Sequence, residues 1–180
     1  MKQYLLLFLA VASLSACHNS SKRKDEITKI EIATGGCFGP CQSTVVSIDS
    51  SLTYKYFGGG VPMVFRLDTS VKSNLKGYYS SRISRAFWDT LKTKLEDINF
   101  RQLDTSYQNS IDDQSLEIFI HYGNKLKYIE ARSASLPDDA RDVFYYIIKS
   151  YKTIKPKPTR DTFIFESATK RARAVLPIKN

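Results

Sequence analysis

Apolar and polar residues alternate along several short stretches of the chain, which is the period of half-buried strands. Residues 116–120 and 126–132 alternate in this way on either side of Gly123 and Asn124, a pair that suits a two-residue hairpin turn with glycine first. Earlier in the chain, β-branched and aromatic residues between glycine-rich breaks predict further strands. These strands lie at residues 27–32, 44–48, 52–57 and 75–80, with an edge-strand candidate at 61–67 that contains Pro62.

Two other stretches have the three-and-four spacing of an amphipathic helix. The first helix is predicted to begin at Ser81 or Ser84, either of which can cap it, and the second begins after Pro137. Pro156 and Pro158 end the second helix. The apolar stripe of the first helix is Ile83, Phe87, Leu91, Leu95 and Ile98, and that of the second is Ala140, Val143, Phe144, Ile147, Ile148 and Tyr151.

This order of elements predicts an α+β fold, in which an antiparallel sheet built from hairpins is covered by two amphipathic helices. The predicted organisation is a signal peptide at 1–16, a modified cysteine and tether at 17–25, and one domain at 26–154. Residues 155–180 form a basic C-terminal extension, with one strand at Thr162–Phe165 and a loose end from Ala168. A chain of this length can bury a core of its own.

The N-terminus has the pattern of an export signal: Lys2, then an apolar stretch from Tyr4 to Ala12 that is too short to span a bilayer. The following Leu14-Ser15-Ala16-Cys17 resembles the bacterial lipoprotein box. That resemblance implies cleavage before Cys17 and attachment of lipid to this residue. His18 rather than Asp follows, which resembles an outer-membrane address. The alternative is a plain secretory signal with an incidental cysteine.

Cysteine usage fits this interpretation. The chain has three cysteines, so assigning Cys17 to lipid leaves Cys37 and Cys41 as a pair outside the reducing cytosol. A disulfide that fixes the shape of a short loop is therefore predicted. The alternative is a thiol-redox or copper-binding loop, but a reactive cysteine usually opens a helix, and Cys41 leads into a strand pattern.

The formal net charge is +9, and the excess basic residues lie near the C-terminus. Residues 149–180 hold nine lysines or arginines against Asp161 and Glu166, whereas residues 17–148 are nearly neutral. Such a segment favours an anionic partner, namely a lipid surface, an envelope polymer or an acidic protein, and no nucleic acid is expected. The alternative is a solvated tail. The candidate anion-contact residues are Lys149, Lys152, Lys155, Lys157, Arg160, Lys170, Arg171 and Arg173.

The sequence contains no motif of a known catalytic class, so neither an enzymatic activity nor a cofactor is expected. His18 and His121 are the only histidines, and no metal-ligand spacing is present. Counting back from the hairpin turn places Glu117 opposite Glu130, on the face that also carries Phe119, His121 and Tyr128. Paired carboxylates beside an imidazole could bind a cation or share a proton, although charged strand positions are most often simply exposed.

One resemblance extends to named residues. The segment Cys37-Phe38-Gly39-Pro40-Cys41, a strand, a turn at 49–51 and then Leu52-Thr53-Tyr54 resembles an uncharacterised domain family of exported bacterial proteins. That family has the pattern Cys-Phe-Gly-x-Cys-Pro-x-Tyr, and the similarity covers roughly residues 27–150. Gln42, Thr44 and Ser51 stand where the family usually has Pro, Tyr and Gly. The resemblance implies a fold and an envelope location. We therefore expect a lipid-anchored, non-enzymatic binding module of the cell envelope.

Overall fold

The structure is a computed structural model that describes residues 25–37, 41–59, 76–110 and 112–175, with the backbone alone for 171–175. Within these ranges the chain forms one mixed eight-stranded sheet, in which only the pairing of the fifth and seventh strands is parallel. The spatial order is β5-β7-β6-β1-β2-β3-β4-β8. The strands are β1 Ile27–Thr34, β2 Thr44–Asp49, β3 Thr53–Gly58, β4 Gly77–Arg82, β5 Ser106–Tyr107, β6 Ser115–Tyr122, β7 Lys125–Arg132 and β8 Lys157–Pro158.

Four α-helices lie in the described part of the chain: α1 Arg85–Asp97, α2 Asp138–Ile148, α3 Tyr151–Ile154 and α4 Glu166–Val175. Short 3-10 turns lie at Phe100–Gln102 and Ser133–Ser135. Ser84 caps α1, because its hydroxyl accepts a hydrogen bond from the Phe87 amide at 3.1 Å. Ser81 instead lies in β4, so only one of the two predicted caps is correct.

The core lies between the sheet and the layer formed by α1 and α2. Because side chains alternate along a strand, every second residue of β1, β2, β3, β6 and β7 faces this layer. Trp88 of α1 and Phe144 of α2 are both fully buried there. The strand residues of the core are Ile30, Ile32, Val46, Ile48, Tyr54, Tyr56, Leu116, Ile118, Ile120, Ile129 and Ala131.

The hairpin between β6 and β7 has the predicted two-residue turn at Gly123 and Asn124, and Gly123 adopts a φ of 52°. The predicted register is also confirmed, because Glu117 pairs with Glu130. At the turn between β2 and β3, the Asp49 carboxylate accepts a hydrogen bond from the Ser51 amide at 2.9 Å. The broad α+β prediction is therefore correct, whereas an antiparallel sheet covered by only two helices is incomplete.

The C-terminal part differs from the sequence prediction. Residues 162–165 form no strand, and the strand of this region is the two-residue β8, which pairs with β4 at the sheet edge. Edge pairing tolerates Pro158, which has no amide to donate. Residues 166–175 are helical rather than loose. The segment from residue 157 to 175 thus packs on the domain that was predicted to end at residue 154. The predicted strand at 61–67 lies outside the described residues.

None of the helices in the described ranges is long and apolar enough to cross a membrane.

Candidate functional site

The sheet face opposite α1 and α2, here called the outer face, is crossed by the C-terminal segment. This segment, residues 159–175, is here called the strap. It starts beside β4, where the Thr159 amide donates to the Tyr78 carbonyl at 2.9 Å. The ring of Phe163 then meets Tyr78 edge-on at 5.8 Å. At the far end of the strap, the Lys170 ammonium lies 3.4 Å from the centre of the Tyr128 ring on β7. The strap therefore runs from one side of the sheet almost to the other.

An ionic cluster joins the middle of the strap to the outer face. Glu166, the first residue of α4, accepts a hydrogen bond from Lys29 Nζ at 2.5 Å. His121 Nε2 lies 2.8 and 2.9 Å from the two oxygens of the same carboxylate. Partial burial raises the pKa of Glu166, but the hydrogen bonds from Lys29 and His121 outweigh this effect, so the pKa lies below its ordinary value. Glu166 is thus held ionised between two cationic or donor groups.

Glu31 lies next to this cluster and is buried beneath the strap. Its Oε1 accepts hydrogen bonds from the amide and the hydroxyl of Ser167, at 3.1 and 3.3 Å. Its Oε2 lies 3.4 Å from Lys29 Nζ and has no hydrogen-bond partner among the described residues. Burial raises the pKa of Glu31, and the Ser167 hydrogen bond and the Lys29 charge only partly oppose this shift. The cluster therefore contains two carboxylates whose pKa values are shifted in opposite directions.

The predicted carboxylate pair lies elsewhere on the outer face. Glu117 and Glu130 border a groove of about 200 Å³ near the C-terminal ends of β1 and β7 and the start of β6. His121 does not join them, because it lies four residues along β6 from Glu117 and binds Glu166 instead. Within the described residues, no group of three or more histidine, cysteine or acidic side chains could hold a metal ion. The other residues that line this groove are Ala33, Gly35, Gln108, Ser115, Leu116, Ala131 and Arg132.

A second groove, of about 400 Å³, lies alongside α4. Its walls are aromatic and apolar on the hairpin side, and they carry one cation and one carboxylate on the strap side. Leu126 at its rim is about half exposed, at 48%. Its lining residues are Phe119, Leu126, Tyr128, Glu166, Thr169 and Lys170.

At the opposite end of β1, the predicted disulfide between Cys37 and Cys41 is present, with the two sulfurs 1.98 Å apart. Strand β2 rather than a helix follows Cys41, so this sulfur lacks the helix N-terminus that activates thiols in redox proteins. The Gln114 side chain holds the loop by donating to the carbonyls of Gly35 and Gln42, both at 3.3 Å. Its own oxygen accepts a hydrogen bond from the Tyr145 hydroxyl at 3.0 Å. Helix α2 is thereby coupled to the loop.

The candidate anion-contact residues are not gathered into one pocket. Lys149, Lys152 and Lys155 lie at the end of α2 and along α3, on the helix side of the sheet. Lys157 lies in the edge strand β8, and the strap carries Arg160 and Lys170. The described side chains therefore form a band that passes around the β8 edge. Arg171 and Arg173 lie in α4, and their side chains are outside the description.

Sequence reasoning did not single out Lys29, Glu31, Glu166 and Ser167. Lys29 and Glu31 alternate with Ile30 and Ile32, a pattern that normally indicates exposed charges on a solvated face. Glu31 is nevertheless buried and Lys29 is partly buried, and the strap contacts both from more than 130 positions away in the chain. No local signal in the sequence reveals such a contact.

The fold and the site together describe an α+β domain with a mixed sheet, a clasped loop and a strap across its outer face. A family model described as a domain of unknown function (DUF6438) matches residues 28–151, and the chain belongs to this family. The match extends from β1 to the first residue of α3, so the strap lies beyond it. No curated protein matches the chain.

Proposed function

We propose that this protein is a lipid-anchored module of the cell envelope, located at the outer membrane, which binds an anionic surface or partner without catalysing a reaction. Cys17 would carry the lipid, and the basic residues near the C-terminus would make the contact. Acyl chains supply about 0.8 kcal/mol for each buried methylene, and the several chains of a lipoprotein anchor give stable attachment.

One observation carries the binding part of this proposal. The six candidate basic residues with described side chains are all exposed, and none of them forms an ion pair with a carboxylate in the described ranges. Elsewhere in the described ranges, Lys29, Lys92, Arg101, Lys125 and Arg141 form ion pairs. Seven other basic side chains in these ranges form none, namely Lys55, Lys76, Arg82, Arg85, Lys94, Lys127 and Arg132. The C-terminal group differs in that six exposed basic residues lie within positions 149–170, with only two acidic residues among them. The positive charge near the C-terminus is therefore available to an external anion.

The placement of these residues favours an extended surface over a small ligand. They follow α3, β8 and the strap around one edge of the sheet and line neither of the two grooves described above, apart from Lys170. Each basic residue near an anionic membrane contributes about 1 kcal/mol, so several of them give useful affinity without a shaped pocket. A polymer or lipid surface satisfies this geometry.

The tether is compatible with such a contact. Residues 18–24 can span at most about 25 Å when fully extended. The first described residue is Asp25, whose carboxylate pairs with Lys125 at 3.3 Å beside the hairpin turn between β6 and β7. A lipid on Cys17 would therefore keep the whole domain close to the membrane surface.

Co-sedimentation with vesicles tests the binding surface separately from the anchor. The mature chain with Cys17→Ser is mixed with vesicles that contain phosphatidylglycerol, at low and high salt, and with phosphatidylcholine vesicles as the neutral control. We expect binding only to the anionic vesicles and its loss at high salt, because exposed charges are screened over about 8 Å at physiological ionic strength.

A charge-matched pair of variants locates the contact. Lys152→Glu with Arg160→Glu should abolish most of the binding, whereas Lys76→Glu with Arg85→Glu, which reverses two exposed charges elsewhere, should preserve it. Equal losses in the two variants would mean that net charge alone governs binding. Absence of binding at low salt would refute the proposed surface.

A further inference from the structure

The strap buries fewer apolar side chains against the sheet than the helices of the core layer do. Among residues 159–170, only Phe165 and Ser167 are buried. By contrast, α1 buries Trp88, Leu91 and Leu95. The free energy of burial grows with apolar area, so the strap has far less holding it to the sheet than the helices have. Segments of this kind open locally at a lower free energy than the core.

The contacts that do hold the strap are polar and directional. Lys29 and His121 both form hydrogen bonds with the Glu166 carboxylate. The Glu31 carboxylate accepts hydrogen bonds from the amide and the hydroxyl of Ser167. Such a pattern is typical of a recognition surface, where a few placed polar groups determine which sequence binds.

Two aromatic residues of the strap, Phe163 and Phe165, also lie on the outer face. Phe163 lies against Tyr78 and beneath the Lys55 ammonium, which is 5.1 Å from the centre of its ring. Phe165 is buried two residues later, while Ile164 between them is 90% exposed. The face thus contacts a segment in which two aromatic residues flank an exposed position and are followed by an acid and a serine that begin helix α4.

We propose that the outer face is a docking surface for a segment of another protein that has this aromatic-x-aromatic-acid-serine chemistry and is helical from the acid onward, and that the strap is its resident occupant. The strap lies beyond the residues matched by the family, so it covers a face that belongs to the family domain itself. This inference rests on the proposed role as a binding module. It adds to the basic surface, which would bind an anionic partner, a second surface that would bind a protein segment.

The attached strap competes with any free segment for the outer face. A covalently attached strap acts at a high effective concentration, in the millimolar range for a short flexible connection. A free segment of equal chemistry therefore binds the natural chain poorly and binds well once the strap is weakened. The apparent dissociation constant of the free segment equals its intrinsic dissociation constant divided by the fraction of molecules in which the strap has left the face.

Peptide binding tests the proposal directly. The mature chain is prepared with Phe165→Ala and Glu166→Gln, which weaken the strap and leave the face intact. Fluorescence anisotropy then compares a peptide of residues 159–175 with a matched peptide that carries the same two substitutions. We expect the natural peptide to bind at least about tenfold more tightly, because it restores charged hydrogen bonds to Lys29 and His121.

Controls separate recognition from general attraction. The matched peptide has one negative charge fewer, so non-specific attraction to the acidic residues of the face would favour it instead. Adding Lys29→Gln to the weakened chain should reduce the difference between the two peptides, and the part that remains comes from Phe165 and His121. Equal binding of the peptides to the weakened chain, or a difference that Lys29→Gln leaves unchanged, would overturn the proposal.

Hydrogen exchange on the natural chain provides a measurement that needs no variant. The amides of α4 should exchange together and at least about a hundredfold faster than the paired amides of β1 and β6. Equal protection would make the strap an integral part of the fold and would refute a displaceable occupant. Neither result alters the vesicle binding described above, so failure of this inference is distinguishable from failure of the proposed function.

Discussion

The carboxylate of Glu166 lies directly against the imidazole of His121, with both of its oxygens within 2.9 Å of Nε2, although 45 residues separate the two in sequence. This contact brings together the strap and the central strand β6. Lys29 of β1 meets the same carboxylate at 2.5 Å. One acidic side chain therefore joins the strap to two strands of the sheet.

Glu166→Gln should destabilise the protein at neutral pH. The pKa of Glu166 in the folded state lies below its ordinary value of 4.5, so its stabilising effect is present above that value and is lost as the pH falls through the folded-state pKa. We expect the free energy of unfolding to fall by about 1–2 kcal/mol at pH 7. Urea titrations at pH 7 and under acid conditions should show a difference from the natural chain that disappears in acid.

Glu31→Gln should have the opposite effect. Burial raises the pKa of Glu31, so its contribution favours folding below 4.5 and is lost as the pH rises through the folded-state pKa. At neutral pH the ionised group is therefore unfavourable, and glutamine keeps an acceptor for Ser167 without the charge. We expect a gain of about 1 kcal/mol at pH 7 that shrinks in acid. A loss at pH 7 would mean that the ion pair with Lys29 outweighs the burial of the charge.

Two buried tyrosines on β3 provide a matched comparison in the core. The Tyr54 hydroxyl lies 3.1 Å from Ser150 Oγ, whereas the Tyr56 hydroxyl has no hydrogen-bond partner among the described residues. Burial raises the pKa of both groups, so both remain protonated at neutral pH. Tyr54→Phe should lower the free energy of unfolding by about 1 kcal/mol, while Tyr56→Phe should leave it unchanged or raise it. Urea denaturation followed by circular dichroism gives both values, and equal losses would contradict the assignment.

The disulfide should contribute little to global stability. A ring closed by Cys37 and Cys41 spans a separation of four residues, and the unfolded-state entropy that a crosslink removes is small for so short a loop. Replacing both cysteines by serine should therefore cost no more than about 2 kcal/mol.

Thiol counting by mass spectrometry without reduction accompanies this measurement. It should find no free thiol at Cys37 or Cys41. Two free thiols, or stoichiometric copper that a Cys37→Ser variant loses, would instead favour the redox or copper-binding alternative.

Lipidation is expected at Cys17. Metabolic labelling with a fatty acid should mark the natural protein and place it in the membrane fraction, whereas Cys17→Ala should be unlabelled. Cys37→Ala is the matched control, since it removes a different cysteine of the chain and should leave labelling intact. Equal labelling of Cys17→Ala would refute the anchor.

Much of the fold could be predicted locally. The alternation on both sides of Gly123 predicted the hairpin and the pairing of Glu117 with Glu130, because a two-residue turn leaves one register for the strands it joins. The stripe of α1 and the Ser84 cap follow from helical spacing and from the preference of serine for capping positions. The pairing of Cys37 with Cys41 followed from counting cysteines in a chain that was expected to be exported.

Local patterns thus specify the strands and helices whose stabilising contacts are close in the chain, and they identify the candidate residues that belong to a short motif. What covers the outer face depends on contacts between distant segments. Phe163 and Phe165 alternate like strand residues, yet they pack on the sheet instead of pairing with it, and Glu31 is buried by a residue 136 positions away. Burial and ion pairing depend on spatial neighbours, and a local pattern of apolar and polar residues does not specify which distant segment supplies them.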